Sequence, residues 1–225
     1  MTPDGMNGSQ RIGPSKNGCA MDSFDALDNP FSTRHLRPGA IPFVFPPDQT
    51  PESMVDRLRQ NGWRGEIIGH HGSGKSSLLA SLLPAIESAG RSAVLVELHD
   101  GQRRLPLDLQ NDARLQPPAV LIVDGYEQLS RWQRWTLRRV CRRRSLGLLI
   151  TSHESVGLPR LHQTQVDRPL AEQVVAVLLG DRPWPISREQ LGRLLDRHGG
   201  DLRETLFALY DCCEEKSASS PEKIT

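Results

Sequence analysis

GEIIGHHGSGKSSLL, running from Gly65 to Leu79, is the stretch whose reading decides the fold. Gly69, Gly74, Lys75 and Ser76 meet the pattern G-x-x-x-x-G-K-[ST], between the short apolar run Glu66-Ile67-Ile68 and an apolar-periodic segment from Ser76 to Leu83. A strand entering the loop and a helix leaving it form the context in which this pattern binds phosphate. Successive backbone N–H groups point into one concavity, and the helix adds its positive dipole end. The expected cradle is Gly69, His70, His71, Gly72, Ser73, Gly74, Lys75, Ser76 and Ser77. Its glycines let the main chain approach the phosphates. Lys75 is placed to reach the β- and γ-phosphates and the Ser76 hydroxyl to ligate Mg²⁺, so ATP and Mg²⁺ are the expected cofactors.

Outward from this loop, apolar β-branched runs alternate with helical patterns. Ser92-Ala93-Val94-Leu95-Val96-Glu97-Leu98 reads as a second buried strand, Pro118 to Gly125 as a third and Leu146 to His153 as a fourth, with a weaker strand at Thr164 to Asp167. Such alternation predicts a mostly parallel α/β sheet. Thr50, Pro51 and Ser53 predict a capped helix before the loop, ended by Gly62. Pro84 predicts a kink or early turn in the helix after it. His99 to Gln116 is polar with little periodicity and has room for a short helix.

Turnover of a γ-phosphate needs a carboxylate near the metal, a group that orients the nucleophile and a cation for developing charge. Asp124 ends a buried strand at the sheet edge where ligands of open α/β sheets bind, and is the expected Mg²⁺ partner of Ser76. A D-G turn closing the strand would use the same pair, Asp124-Gly125. Many ATPases of this kind carry glutamate directly after that aspartate; here it is Gly125, which leaves Glu127 or Glu97 to orient water. Thr151 or Ser152 could bond the γ-phosphate or simply cap its strand. Arg203 could fold over the triphosphate or stand as an exposed helical arginine, and Arg160 could act across a subunit interface.

GHHGSGKSS, AVLIVDGYEQL, LGLLITSH and HGGDLRETLFAL together resemble the AAA+ and related ATPases of the class that inserts a strand between its two nucleotide-binding strands. The resemblance covers about Gly65 to Asp211. It implies sheet order 5-1-4-3-2, a metal-binding Asp124, a sensor at Thr151 or Ser152, and a second sensor at Arg203 in a small C-terminal helical lid. Gly125 and the lack of a clear arginine finger depart from the full AAA+ pattern. No N-K-x-D element points to guanine, and no L-S-G-G-Q precedes Asp124 as in transporter ATPases. Three uses of the nucleotide compete: a slow Mg-dependent ATPase acting as switch or motor, a small-molecule P-loop kinase, and a module that senses ATP without cutting it.

Seven arginines crowd Arg131 to Arg144, interleaved with Trp132 and Trp135. The helical spacing predicts Arg131, Arg134, Arg138 and Arg142 on one solvated stripe, with Trp132, Thr136, Val140 and Trp135 toward the sheet. A solvated face, a nucleic-acid surface and a site for an acidic protein partner are the alternatives. A homo-oligomer is compatible with all three.

The 225 residues, net charge +1, 37% hydrophobic and 24% charged content fit a globular chain without a global pull toward anionic partners. Cys19, Cys141, Cys212 and Cys213 lack C-x-x-C spacing and read as reduced thiols. No apolar run approaches a membrane span and residues 1–20 lack a signal peptide's apolar centre, so a cytoplasmic location is expected. The expected divisions are a disordered tail (1–28), an α/β core with an extended Phe- and Pro-rich arm (29–168), a helical lid (169–213) and a frayed tail (214–225). The arm either packs on the core or covers the adenine.

Overall fold

The computed structural model describes residues 29–32 and 41–218. The expected disordered tail and parts of the arm and of the C-terminal tail lie outside these residues. Five strands, β1 (Arg64–Ile68), β2 (Ser92–Glu97), β3 (Ala119–Asp124), β4 (Gly147–Ser152) and β5 (Arg160–Gln163), form one sheet. Their order is β2-β3-β4-β1-β5, all neighbours parallel, with β4 inserted between β3 and β1. This is the expected 5-1-4-3-2 order of a parallel α/β sheet.

The central strands are apolar without alternation because both sheet faces are covered. Leu121, Val123, Leu148 and Ile150 face a core completed by Tyr126, Leu137 and Cys141. Val120, Ile122 and Leu149 face the opposite core, built with α1 (Pro51–Gln60) and α2 (Lys75–Ser88). Three further helices, α4 (Arg168–Leu179), α5 (Arg188–Arg197) and α6 (Leu202–Ala218), enclose a third cluster, against which Phe31, Ile41 and Val44 pack. The arm therefore joins two bodies: Phe43 and Phe45 lean on the sheet's core while Ile41 and Val44 lean on the C-terminal helices.

Helix starts follow their capping residues. Thr50 and Ser53 make both halves of a capping box, as do Ser187 and Gln190. Asp167 and Asp201 accept from the backbone N–H groups of Leu170 and Glu204. Four expectations change here. Pro84 does not end its helix, which runs through it to Ser88. No helix forms between His99 and Gln116, whose Leu105, Leu107, Leu109 and Leu115 instead pack on the core. The fifth strand lies at Arg160–Gln163 rather than Thr164–Asp167, because Leu161 is the residue buried beside β1 while Val166 packs with the C-terminal helices. Helix α6 continues past Glu214, where the tail was expected to begin. Among the described residues no helix is long and apolar enough to cross a membrane.

The arginine-rich helix α3 (Arg131–Arg143) corrects the largest expectation. Trp132 is 66% and Trp135 58% exposed, so the indoles face outward, and the buried anchors are Leu137 and Cys141. Arg134 and Arg138 turn inward. Arg134 donates to the carbonyls of Leu129 (2.8 Å) and Glu127 (2.6 Å). Arg138 donates to Tyr126 Oη (3.0 Å) and to the carbonyl of Val156 (2.7 Å). Arg144, just past the helix, donates to the carbonyls of Leu109 and Leu115. Guanidinium groups satisfy loop carbonyls that no sheet or helix pairs, a need that periodicity does not register.

Removing such a donor strands its acceptors. Arg138→Ala and Arg144→Ala should each lower stability by about 1–3 kcal/mol, and Arg139→Ala and Arg142→Ala by less than about 0.5 kcal/mol, read from urea midpoints at unchanged m. Equal losses in all four would contradict these inward roles.

Candidate functional site

The glycine-rich loop Gly69–Gly74 leaves β1 at the carboxyl edge of the sheet and enters α2. Gly72 and Gly74 hold φ of +63° and +90°, conformations costly for other residues. At Gly69 the reason is space: a Cβ there would stand 2.0 Å from Thr164 Oγ1 and 2.5 Å from Ser73 Oγ. These two hydroxyls share a 2.6 Å hydrogen bond, and Ser73 Oγ also lies 2.8 Å from the His70 carbonyl as its donor. Ser73 thus braces the loop from behind, and Thr164, which sequence reasoning missed as a site residue, pins it to the end of β5.

Lys75 Nζ donates to the carbonyls of Gly69 and His70, both at 2.7 Å. Burial lowers its pKa, opposed by the charges of Glu127, Asp124 and Asp201. Ser76 Oγ donates to Asp124 Oδ2 at 2.6 Å. Thr151 Oγ1 donates to Asp124 Oδ1 at 2.5 Å and accepts the Gly125 N–H at 2.9 Å. The two carboxylate oxygens of Asp124 are therefore fixed from opposite sides by α2 and β4. Ser152 does something else: its hydroxyl donates to the carbonyl of Glu154.

Gly125 has a local cause. Its φ is +80°, and an added Cβ would stand 2.9 Å from the Leu98 carbonyl oxygen. A glutamate at this position would meet both strain and a clash. The chain instead makes a 3₁₀ turn at Tyr126–Gln128 that carries Glu127 to the same cavity. Glu127 Oε1 lies 3.2 Å from His153 Nε2, whereas its Oε2 is buried without a hydrogen-bond partner. His153 in turn meets the His71 ring at a centroid distance of 4.0 Å. Burial holds the His153 imidazole below its ordinary pKa, against the pull of Glu127. His153 is a second residue missed as part of the site; its position one step past β4, at the edge that carries Asp124, is the signal that marks it.

These groups line a cavity of about 640 Å³. Its polar end has His71, Lys75, Ser76, Asp124, Glu127, Thr151 and His153, and its apolar end has Ile41, Val44, Leu170, Val174, Leu202 and Leu206. Ser77, Glu97 and Arg203 also line it, with the Arg203 guanidinium 5.9 Å from the Phe207 ring centre. His70 contributes its carbonyl rather than its ring. Arg160 lies on β5 and donates to Gln163. Asp201, at the start of α6, packs against the loop so closely that a Cβ on Gly72 would stand 1.8 Å from its Oδ1.

No family model matches the chain, and no curated protein matches it. Among solved structures it is similar to NtrX from Brucella abortus in complex with ATP, at TM-score 0.48 and 14% identity over 80% of this chain and 55% of that one. The ADP complex of the same protein gives 0.49 and 15% over 81% and 53%, and a further NtrX structure 0.48 and 16% over 85% and 55%. The chain spans about half the length of these structures.

Burial also depresses His162, with Arg57 adding to the effect. Between the depressed folded values of His153 and His162 and roughly 6.5, the unfolded chain binds more protons than the folded one. Their contribution is present above about pH 6.5 and is lost as pH falls. The thermal midpoint should drop between about pH 7.5 and about pH 5.5, and drop less in His153→Gln. Equal pH dependence in the two proteins would remove His153 from this account. Gly125→Glu should cost about 1–3 kcal/mol at neutral pH by the same thermal assay, and an unchanged midpoint would show that Gly125 is not required by its backbone.

Proposed function

We propose that this chain binds Mg²⁺-ATP across the carboxyl edge of its sheet and hydrolyses it slowly, with the nucleotide state read by a lid made of α4–α6. The observation that carries the proposal is Asp124, held by Ser76 and Thr151 at the mouth of a loop with the phosphate-binding pattern. Ser76 Oγ and Asp124 Oδ2, both hard oxygen donors 2.6 Å apart, suit Mg²⁺, which takes one or two protein oxygens and completes its shell with water and phosphate. Among the described residues no cluster of three or more His, Cys, Asp or Glu forms an all-protein metal cage. When bound, the ion would neutralise charge on the β- and γ-phosphates.

The chain's own groups supply the rest. Lys75, a partly buried cation near three carboxylates, is placed to pair with phosphate oxygens more strongly than a solvated lysine would. The loop's N–H groups and the start of α2 bind the remaining charge. Glu127 keeps Oε2 unpaired while Oε1 is oriented by His153, as required of a group that positions an attacking water. His153 acts as a positioning residue. Arg203 is the cation of the lid that meets the triphosphate, and the apolar end of the cavity, shared between the arm and α4 and α6, takes the base. The absence of an N-K-x-D element makes adenine the fitting one.

Asp201 explains how the lid would sense occupancy. Its carboxylate caps α6 and presses on Gly72, so negative charge entering the loop acts directly on the first turn of a lid helix. A switch needs such a contact; a kinase needs instead an acceptor site.

Phosphate release from the purified protein tests this reading. The wild type should turn over slowly without an added acceptor. Glu127→Gln should retain ATP binding and lose about 10²-fold or more in turnover, whereas Lys75→Ala should show no saturable binding up to about 1 mM nucleotide with an unchanged fold. Turnover that survives Lys75→Ala would refute the site, and turnover that requires an acceptor would make the chain a kinase.

A further inference from the structure

The outer face of α3 is not accounted for by the nucleotide site. With Leu137 and Cys141 buried and Arg134 and Arg138 tied to carbonyls, the residues left in solvent are Arg131, Trp132, Trp135, Arg139, Arg142 and Arg143. Trp132 and Trp135 are two of the three large hydrophobic residues that stand exposed among the described residues. The Arg139 guanidinium lies 5.3 Å from the Trp135 ring centre. No carboxylate occurs between Glu127 and Glu154, so the face has no acidic residue of its own sequence to quench it. In a chain of net charge +1 this concentrates positive charge in one place.

We propose that this face binds single-stranded nucleic acid, the arginines pairing with phosphates and the two indoles stacking on bases. Residues three apart on a helix are surface neighbours, about 5–6 Å between Cβ atoms, so successive unpaired bases can each meet an indole. Guanidinium groups pair with phosphate in a bidentate fork and also stack on bases. An anionic membrane fits the face less well. The exposed stripe contains no aliphatic residue, since Leu137, Val140 and Cys141 turn to the core, and an interfacial helix needs a continuous apolar strip. An acidic peptide would satisfy the arginines but would leave two large exposed rings without a stacking partner.

The proposal stands independently of ATP binding and is tested without nucleotide. Anisotropy of a fluorescein-labelled oligo(dT) of about 20 nucleotides, titrated with the full chain at about 50 mM salt, should show saturable binding. With four exposed arginines at about 0.7 per phosphate contact, log K should fall against log[salt] with a slope of about −3. The double variant Trp132→Ala, Trp135→Ala should bind at least about tenfold more weakly at an unchanged salt slope, because it removes stacking and keeps charge. Arg139→Glu, Arg142→Glu should flatten the slope and abolish binding at about 150 mM salt. Both pairs are exposed, so unchanged unfolding midpoints confirm intact folds.

No binding at low salt, equal binding by the tryptophan variant, or tighter binding to a duplex of the same length would each overturn the proposal. Displacement of the oligonucleotide by polyglutamate at equal charge would assign the face to an acidic protein. Tighter capture by phosphatidylserine vesicles would assign it to a membrane. Dissociation of an oligomer in the tryptophan variant, with oligonucleotide binding intact, would make the face a contact between copies of this chain.

Discussion

Two hydroxyl groups hold one carboxylate, and the site depends on that clamp. Ser76 comes from the first turn of α2, Thr151 from the end of β4 and Asp124 from the end of β3. The three meet because β4 is inserted beside β1, which brings Thr151 within reach of both the carboxylate and the backbone N–H of Gly125. A sheet that ran β1 directly beside β3 would leave that place to another residue. Parallel pairing puts the carboxyl ends of all these strands on one edge, and apolar burial on both faces keeps the edge rigid enough to hold donors at fixed separations.

The same clamp sets the electrostatics. Asp124, Glu127 and Asp201 all act on Lys75, so the phosphate end is rich in negative charge for a pocket proposed to take a triphosphate. A divalent cation would resolve this, because it would cancel charge on both ligand and carboxylate where Lys75 alone does not. Gly125 belongs to the same logic. The left-handed turn beneath the Leu98 carbonyl excludes a side chain after Asp124, and the next turn returns a carboxylate at Glu127, steadied on its backbone by Arg134 and on its side chain by His153. Helix α3 is thereby tied to the proposed chemistry through backbone contacts while its outer face stays free for another partner.

Much of the fold was legible in the sequence, since its signals are local. The strand-loop-helix unit around Gly69–Gly74, four of the five strand positions, Thr50 as a cap and Asp124 at a strand end all depend on patterns within a few residues. What was hidden depends on contacts between distant segments. Thr164 braces Ser73 across 91 positions and His153 meets Glu127 from another strand. The fifth strand is an edge with one buried residue, Leu161, so its pattern is nearly silent. Helix α3 misled for a clear reason: periodicity assumes that arginine seeks water and tryptophan seeks the core, and here unpaired loop carbonyls reverse the preference for Arg134 and Arg138. Glu66 shows the same effect on β1, a buried carboxylate kept by the Ser155 hydroxyl and the N–H groups of Val156 and Leu158.

The central claim is that Asp124 and Ser76 make this a site for a metal-bound nucleotide. Calorimetric titration with a non-hydrolysable ATP analogue, run in Mg²⁺ and again in chelator, tests it without relying on turnover. Affinity in Mg²⁺ should exceed that in chelator by at least about tenfold, or about 1.4 kcal/mol, and Asp124→Asn should erase the difference. Equal affinity in the two buffers, or an undiminished Mg²⁺ effect in Asp124→Asn, would contradict the account.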